Sequence, residues 1–228
     1  MKLCVALDLN KKEENLKIIK DIKSFDNVWL KVGLRSFIRD GVNFLDEIKN
    51  INPNFKIFLD LKLYDIPNTM ADASEEIAKL GIDMFNIHAS AGSKAMQEVT
   101  TRLKSIEKKP LILAVTALTS FSDSDFKSIY EKDINTKADE FAKLSSENGI
   151  DGVVCSSFES KAIKKITNEN FITLCPGIRP FGEDSGDQQR VATIEVAKQN
   201  LVDFIVVGRP IYKAQNPKEI VERILEKI

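Results

Sequence analysis

Eight short apolar runs, at residues 3–8, 28–32, 55–62, 84–88, 110–116, 152–155, 171–175 and 203–208, recur along this chain. Each is followed by a polar turn and then by a stretch with helical spacing. Short apolar runs bounded by turns read as buried strands, and apolar residues at three- and four-residue steps read as helices with one inward face. In the first such helix Leu16, Ile19 and Ile22 mark one face and Lys17, Lys20 and Lys23 the other; Ala138, Phe141, Ala142 and Leu144 form the inner face of a later one. Strand then helix, repeated eight times in 228 residues, is the pattern of a (β/α)8 TIM barrel, an α/β fold; fewer repeats would suggest an open doubly wound sheet. No low-complexity linker or shift of composition divides the chain, so one domain spanning residues 1–228 is expected.

In such a barrel the reactive groups collect where strands end at their carboxyl termini, and the informative residues fall there. Asp8 closes the first run, Lys31 the second, Asp60 and Lys62 the third, His88 the fourth, Thr116 and Thr119 the fifth, and Gly208-Arg209 the eighth. Residues two apart on an extended chain share a face. Asp8 therefore shares one with Cys4 and Ala6, Lys31 with Trp29, while Asp60 and Lys62 oppose Ile57, Leu59, Leu61 and Leu63. Inward charges are tolerable only near the mouth, since an isolated buried charge costs too much. Asp65 follows in the turn. A lysine among carboxylates stays an ammonium, which makes it a fixed proton donor and a stabiliser of negative charge. A structural ion-pair network at one strand end is the plain alternative; Asp8 and Lys31 at the matching ends of other strands favour chemistry.

Acids and bases nearly cancel to a net charge of −1, which argues against a nucleic-acid partner. The apolar stretches are too short to cross a bilayer, and Met1 leads into residues 3–8 without the features of a signal peptide; a cytoplasmic protein is expected. Cys4, Cys155 and Cys175 each lie inside an apolar run and read as small core residues. One histidine and no paired cysteine spacing exclude the common zinc patterns, and no glycine-rich run resembles a P-loop or a dinucleotide fingerprint, so the chemistry falls to side chains. His88 reads as hydrogen-bonded scaffold, Arg190 as the solvent-facing start of a helix, and Trp29, Phe37 and Phe44 as core.

These residues resemble the orotidine 5′-phosphate decarboxylase family, and the resemblance spans nearly the whole chain. It rests on Ala6-Leu7-Asp8, Lys31-Val32-Gly33, Asp60-Leu-Lys62-Leu-Tyr-Asp65-Ile-Pro-Asn-Thr69, Ile87-His88-Ala89-Ser90, Val115-Thr116-Ala117-Leu118-Thr119-Ser120, Pro176-Gly177-Ile178-Arg179-Pro180, Asp187-Gln188 and Val207-Gly208-Arg209-Pro210. It implies decarboxylation of orotidine 5′-monophosphate to UMP, the last step of de novo pyrimidine synthesis, without a cofactor. By the same resemblance, Asp8 and Lys31 hold the ribose hydroxyls, Asp60 lies beside the departing carboxylate, and Lys62 delivers the proton to carbon 6. Asp65 and Thr69 reach a neighbouring site across an obligate homodimer interface. Thr119 meets the pyrimidine, Arg179, Arg209 and the Gly208 amide grip the phosphate, and Gln188 bridges base and phosphate. The segment 177–188, with three glycines and Pro180, is expected to close over the ligand. Sugar-phosphate lyases that use magnesium share Asp-x-Lys-x-x-Asp but place an acid where this chain has Lys31.

Overall fold

The structure, a computed structural model, describes residues 1–183 and 190–228. Its strands are β1 (Lys2–Ala6), β2 (Trp29–Gly33), β3 (Lys56–Leu63), β4 (Met84–His88), β5 (Leu111–Val115), β6 (Gly152–Val154), β7 (Ile172–Cys175) and β8 (Phe204–Val207). They pair in sequence order, all in parallel, and β8 returns to β1 to close the barrel. The expected (β/α)8 TIM barrel is the observed fold. Helices α1 (Lys12–Asp21), α2 (Leu34–Ile51), α3 (Pro67–Lys79) and α4 (Gly92–Leu103) cover the first half. In the second half α5 (Asp123–Tyr130) and α6 (Ile134–Glu147) follow β5, α7 (Ser160–Ile166) follows β6, α8 (Ile194–Gln199) follows β7, and α9 (Arg209–Tyr212) and α10 (Pro217–Lys227) follow β8. Among the described residues, no helix is long and apolar enough to cross a membrane.

The two-residue alternation of each strand divides the apolar residues into two layers. Phe58, Met84, Leu113, Leu174 and Phe204 fill the barrel, with Trp29 packed edge-on against Phe204 at 5.1 Å between ring centroids. Ile57, Leu59, Phe85 and Ile112 face outward against the helices. Filling the interior with large side chains leaves space for polar groups only at the strand ends.

The opposite, amino-terminal end is locked by a repeated device. Asp83, Asp151 and Asp203 precede β4, β6 and β8, and each carboxylate accepts the backbone N–H of the preceding strand, from Ile57 (2.9 Å), Ile112 (2.8 Å) and Thr173 (2.8 Å). Lys56, Lys109 and Lys164 pair with the same three acids. Charge-assisted bonds of this kind satisfy strand-end donors and set the register. At Gly152 a Cβ would lie 2.2 Å from the carbonyl oxygen of Ile172, so only glycine permits β6 and β7 to meet there.

Candidate active site

A cavity of about 490 Å³ opens at the carboxyl ends of the strands. Its apolar floor is the top layer of the barrel filling, with Phe58, Val115, Val154 and Val206. Above the floor, β1 to β3 supply a chain of alternating charges. The Lys31 Nζ lies 3.0 Å from Asp8 Oδ1 and 3.3 Å from Asp60 Oδ2, and the Lys62 Nζ donates to Asp60 Oδ1 at 2.6 Å. All four side chains line the cavity. Lys31 and Asp60 are the deepest, their side chains 11% and 13% exposed, which is why their charges depend on each other.

Burial by itself would push the Asp60 carboxyl up, but the charges of Lys31 and Lys62 and hydrogen bonds from Lys62 and Asn86 outweigh it and hold the group at about 2. Burial likewise opposes the Lys31 ammonium, yet Asp60 and Asp8 hold its pKa above the ordinary lysine value. Both groups are therefore ionised at neutral pH. Beside Lys31, Gly33 presents its open α-carbon to the ion pair: a Cβ there would lie 3.0 Å from both Asp8 Oδ1 and Lys31 Nζ.

Lys62 sits on an irregular piece of β3. The pairing of β3 with β4 shifts register between Leu59 and Leu63, and Lys62 has φ = 54°, a left-handed conformation costing a non-glycine residue on the order of 1 kcal/mol. Its N–H, released from the strand ladder, donates to Asn86 Oδ1 at 2.7 Å. Asn86 Nδ2 in turn donates to Asp60 Oδ1 at 2.8 Å. Sequence reasoning missed Asn86. Its signal was a polar residue inside a buried strand, on the same face as His88.

On the sector built by β7 and β8, Arg179, Arg209, Gly177 and Gly208 line the same cavity. Arg179 is buried, and the chain around it is closed by bonds from its N–H to Ala192 O (2.8 Å) and from the Ala192 N–H to Gly177 O (3.1 Å). Thr119 lines the cavity after β5, whereas Thr116 turns into the wall and donates to Val154 O at 3.2 Å. Asp65 and Thr69 are exposed and lie outside this cavity; Asp65 Oδ1 accepts the Ile66 N–H at 2.6 Å. Gln188, and residues 184–188 of the segment expected to close over a ligand, lie outside the described residues.

His88 accepts through Nδ1 from Ser90 and stacks on Tyr64, with centroids 5.6 Å apart. Burial and the nearby charge of Lys62 lower its pKa, so the ring is neutral at pH 7. The expectation for Arg190 is corrected: it precedes α8 instead of starting it, and its partly buried guanidinium is ion-paired with Glu159, which is 4% exposed. An arginine facing solvent would not find that acid, which the loop after β6 brings inward.

Over residues 1–224 the chain matches the family described as orotidine 5′-phosphate decarboxylase / HUMPS. It is 67% identical to an orotidine 5′-phosphate decarboxylase of Sulfurimonas denitrificans, with 100% of each chain covered. It is 66% identical to one of a Sulfurovum species, over 100% of this chain and 99% of that one. Among solved structures, the orotidine 5′-phosphate decarboxylase of Lactobacillus acidophilus superposes with a TM-score of 0.86 at 34% identity, covering 99% of this chain and 98% of that one.

Proposed function

The chain belongs to the orotidine 5′-phosphate decarboxylase / HUMPS family, and from that premise we infer that it is a carboxy-lyase converting orotidine 5′-monophosphate to UMP and carbon dioxide, the last step of de novo pyrimidine synthesis. The observation that carries this reading is the alternating array Asp8, Lys31, Asp60, Lys62 at the mouth of a barrel filled with apolar side chains.

Loss of carbon dioxide from carbon 6 of the pyrimidine leaves an electron pair in an sp² orbital that the ring cannot delocalise. The charge must be met where it forms. Lys62 is the fixed cation at that position and gives its proton to the carbanion left at carbon 6. A preorganised ammonium above an apolar floor is worth several kcal/mol more than in water. Asp60, ionised down to about pH 2, holds the Lys62 Nζ by its Oδ1 and meets the substrate carboxylate as a like charge. Lys31 and Asp8 bind the ribose hydroxyls. The barrier reduction this reaction needs is on the order of 20 kcal/mol, more than one ion pair supplies. Arg179, Arg209 and the Gly208 amide therefore grip the phosphate, and binding energy from that unreacting group drives desolvation at carbon 6. Thr119 meets the pyrimidine, and Gln188 bridges base and phosphate.

The reaction proceeds without metal or organic cofactor. Two ammonium groups in the array disfavour a divalent cation, whose sites are built from oxygen ligands; this separates the chain from the magnesium-dependent lyases. We place the protein in the cytoplasm, as one barrel domain, without nucleic-acid or membrane partners. It acts as a homodimer: Leu34, Ile38, Val42, Tyr64 and Ile66 are large apolar side chains left exposed on the consecutive units around α2 and the β3–α3 turn. Asp65 and Thr69 stand on that same surface and complete the partner's site.

Following the ultraviolet absorbance of orotidine 5′-monophosphate with purified protein in EDTA tests the reading. Steady loss of substrate is the expected result. Activity that EDTA abolishes and magnesium restores points to the sugar-phosphate lyases, and UMP binding without turnover points to a catalytically silent barrel.

A further inference from the structure

We propose that Asn86 is a positioning residue for this reaction: its side-chain amide holds the Asp60 carboxylate and the Lys62 backbone in the single arrangement that aims the Lys62 ammonium. The proposal rests on the assignment of Asp60 and Lys62 to the chemistry.

Asn86 is fully buried on the inward face of β4, one layer below His88. Both ends of its amide are used, and the partners leave no choice of orientation. The Lys62 N–H is only a donor, so the amide oxygen faces it at 2.7 Å; the Asp60 carboxylate is only an acceptor, so the amide nitrogen faces it at 2.8 Å. Asp60 Oδ1 thus accepts from Asn86 and from Lys62 Nζ, while Oδ2 faces Lys31. A carboxylate held from three directions has its plane set, and with it the position of the lysine nitrogen.

The second bond explains the backbone. Where β3 and β4 lose their common register, the Lys62 amide has left the strand ladder and its residue has turned left-handed. A buried N–H without a partner is costly, and Asn86 replaces the missing carbonyl. One uncharged side chain thereby stabilises the irregular backbone and the carboxylate together. It does so without altering the balance of two acids and two lysines in the array. No hydrocarbon of similar size supplies either bond, and a carboxylate supplies only the acceptor.

Asn86→Leu and Asn86→Asp, compared with the unaltered protein in kcat, KM, UMP affinity, pH profile and circular dichroism, test this. Misplacing reacting groups by about 1 Å is worth about 100-fold in rate, so the expected result for Asn86→Leu is a kcat about 100-fold lower with UMP affinity within about threefold. Asn86→Asp keeps the acceptor for the Lys62 amide but sets a second carboxylate against Asp60. Its kcat is expected to recover toward acid pH, as one proton is shared by the pair, where the unaltered enzyme does not gain. If Asn86→Leu fails to fold, the pH profile of Asn86→Asp decides alone. A kcat within about threefold of the unaltered enzyme in a folded variant overturns the proposal, as does an Asn86→Asp profile parallel to that of the unaltered enzyme. Absence of turnover in the unaltered protein would instead overturn the functional reading, and is seen before any variant is made.

Discussion

Asp60→Asn keeps the carboxylate's volume while removing its charge and turning one of its two acceptor oxygens, both of which face N–H donors, into a donor; the part of its effect that varies with pH isolates the charge. In the folded chain the Asp60 carboxyl titrates at about 2, against an ordinary value of 3.8. A folded-state value below the unfolded one means that the ionised group stabilises the fold above about pH 4, and that this contribution disappears as pH falls through about 2. The gap corresponds to roughly 2 kcal/mol at pH 7. With 13% of the side chain exposed, solvent screening removes little of it. At pH 3 most unfolded chains carry the proton and most folded chains do not, so about half of the contribution, roughly 1 kcal/mol, has gone. Urea unfolding of the unaltered protein and of Asp60→Asn between pH 7 and pH 3 measures it. The stability difference is expected to shrink by roughly 1 kcal/mol over that range at unchanged m. A further, pH-independent part reflects Lys31 and Lys62 facing each other across a neutral amide. A difference that stays constant or widens toward pH 3 would refute the claim that Asp60 is held ionised by its two lysines.

Lys62→Ala is expected to lose nearly all turnover while still binding UMP measurably, by titration calorimetry; near-normal turnover removes its role as proton donor. Gly33→Ala puts a methyl group 3.0 Å from both members of the Asp8–Lys31 pair and is expected to lower kcat/KM about tenfold through their displacement, with little change in thermal midpoint; unchanged kinetics would show that the pair yields without consequence. Arg209→Ala should raise KM for the nucleotide far more than for a substrate without phosphate, and equal effects on both would end the phosphate assignment. Mixing inactive Asp65→Ala and Lys62→Ala proteins under subunit exchange should restore part of the activity if sites are shared; no recovery despite proven exchange counts against a shared site.

Much of the site's layout was legible because strand alternation is local. Once Ile57 and Leu59 are outward, Phe58 and Asp60 are inward, whatever the rest of the chain does. The same rule put Lys31 above Trp29 and Asp8 above Cys4 and Ala6. It failed where contacts join distant segments. Arg190 looked like a surface residue because its neighbours in sequence are polar, yet its partner Glu159 is 31 positions away. Helix α5 is an addition to the eight strand–helix repeats, and its Phe126 and Tyr130 pack with Phe121 and with Ile134 and Phe141 of α6 and not on a strand. Asp65 and Thr69 carry the family pattern but lie outside their own chain's cavity, so one chain's sequence order says nothing about which cavity they serve.

The order of strands and helices, the inward or outward direction of each strand residue, and the collection of charges at strand ends all follow from short-range periodicity, and the sequence by itself determined them. Tertiary structure decided the rest. That Asp60 is ionised to about pH 2 depends on distances of 3.3 Å and 2.6 Å to two lysines. That Lys62 adopts its left-handed conformation depends on an amide from the next strand. Charge and hydrogen-bond energies change steeply over an ångström, and distances of that size between separate strands are set only when the barrel closes.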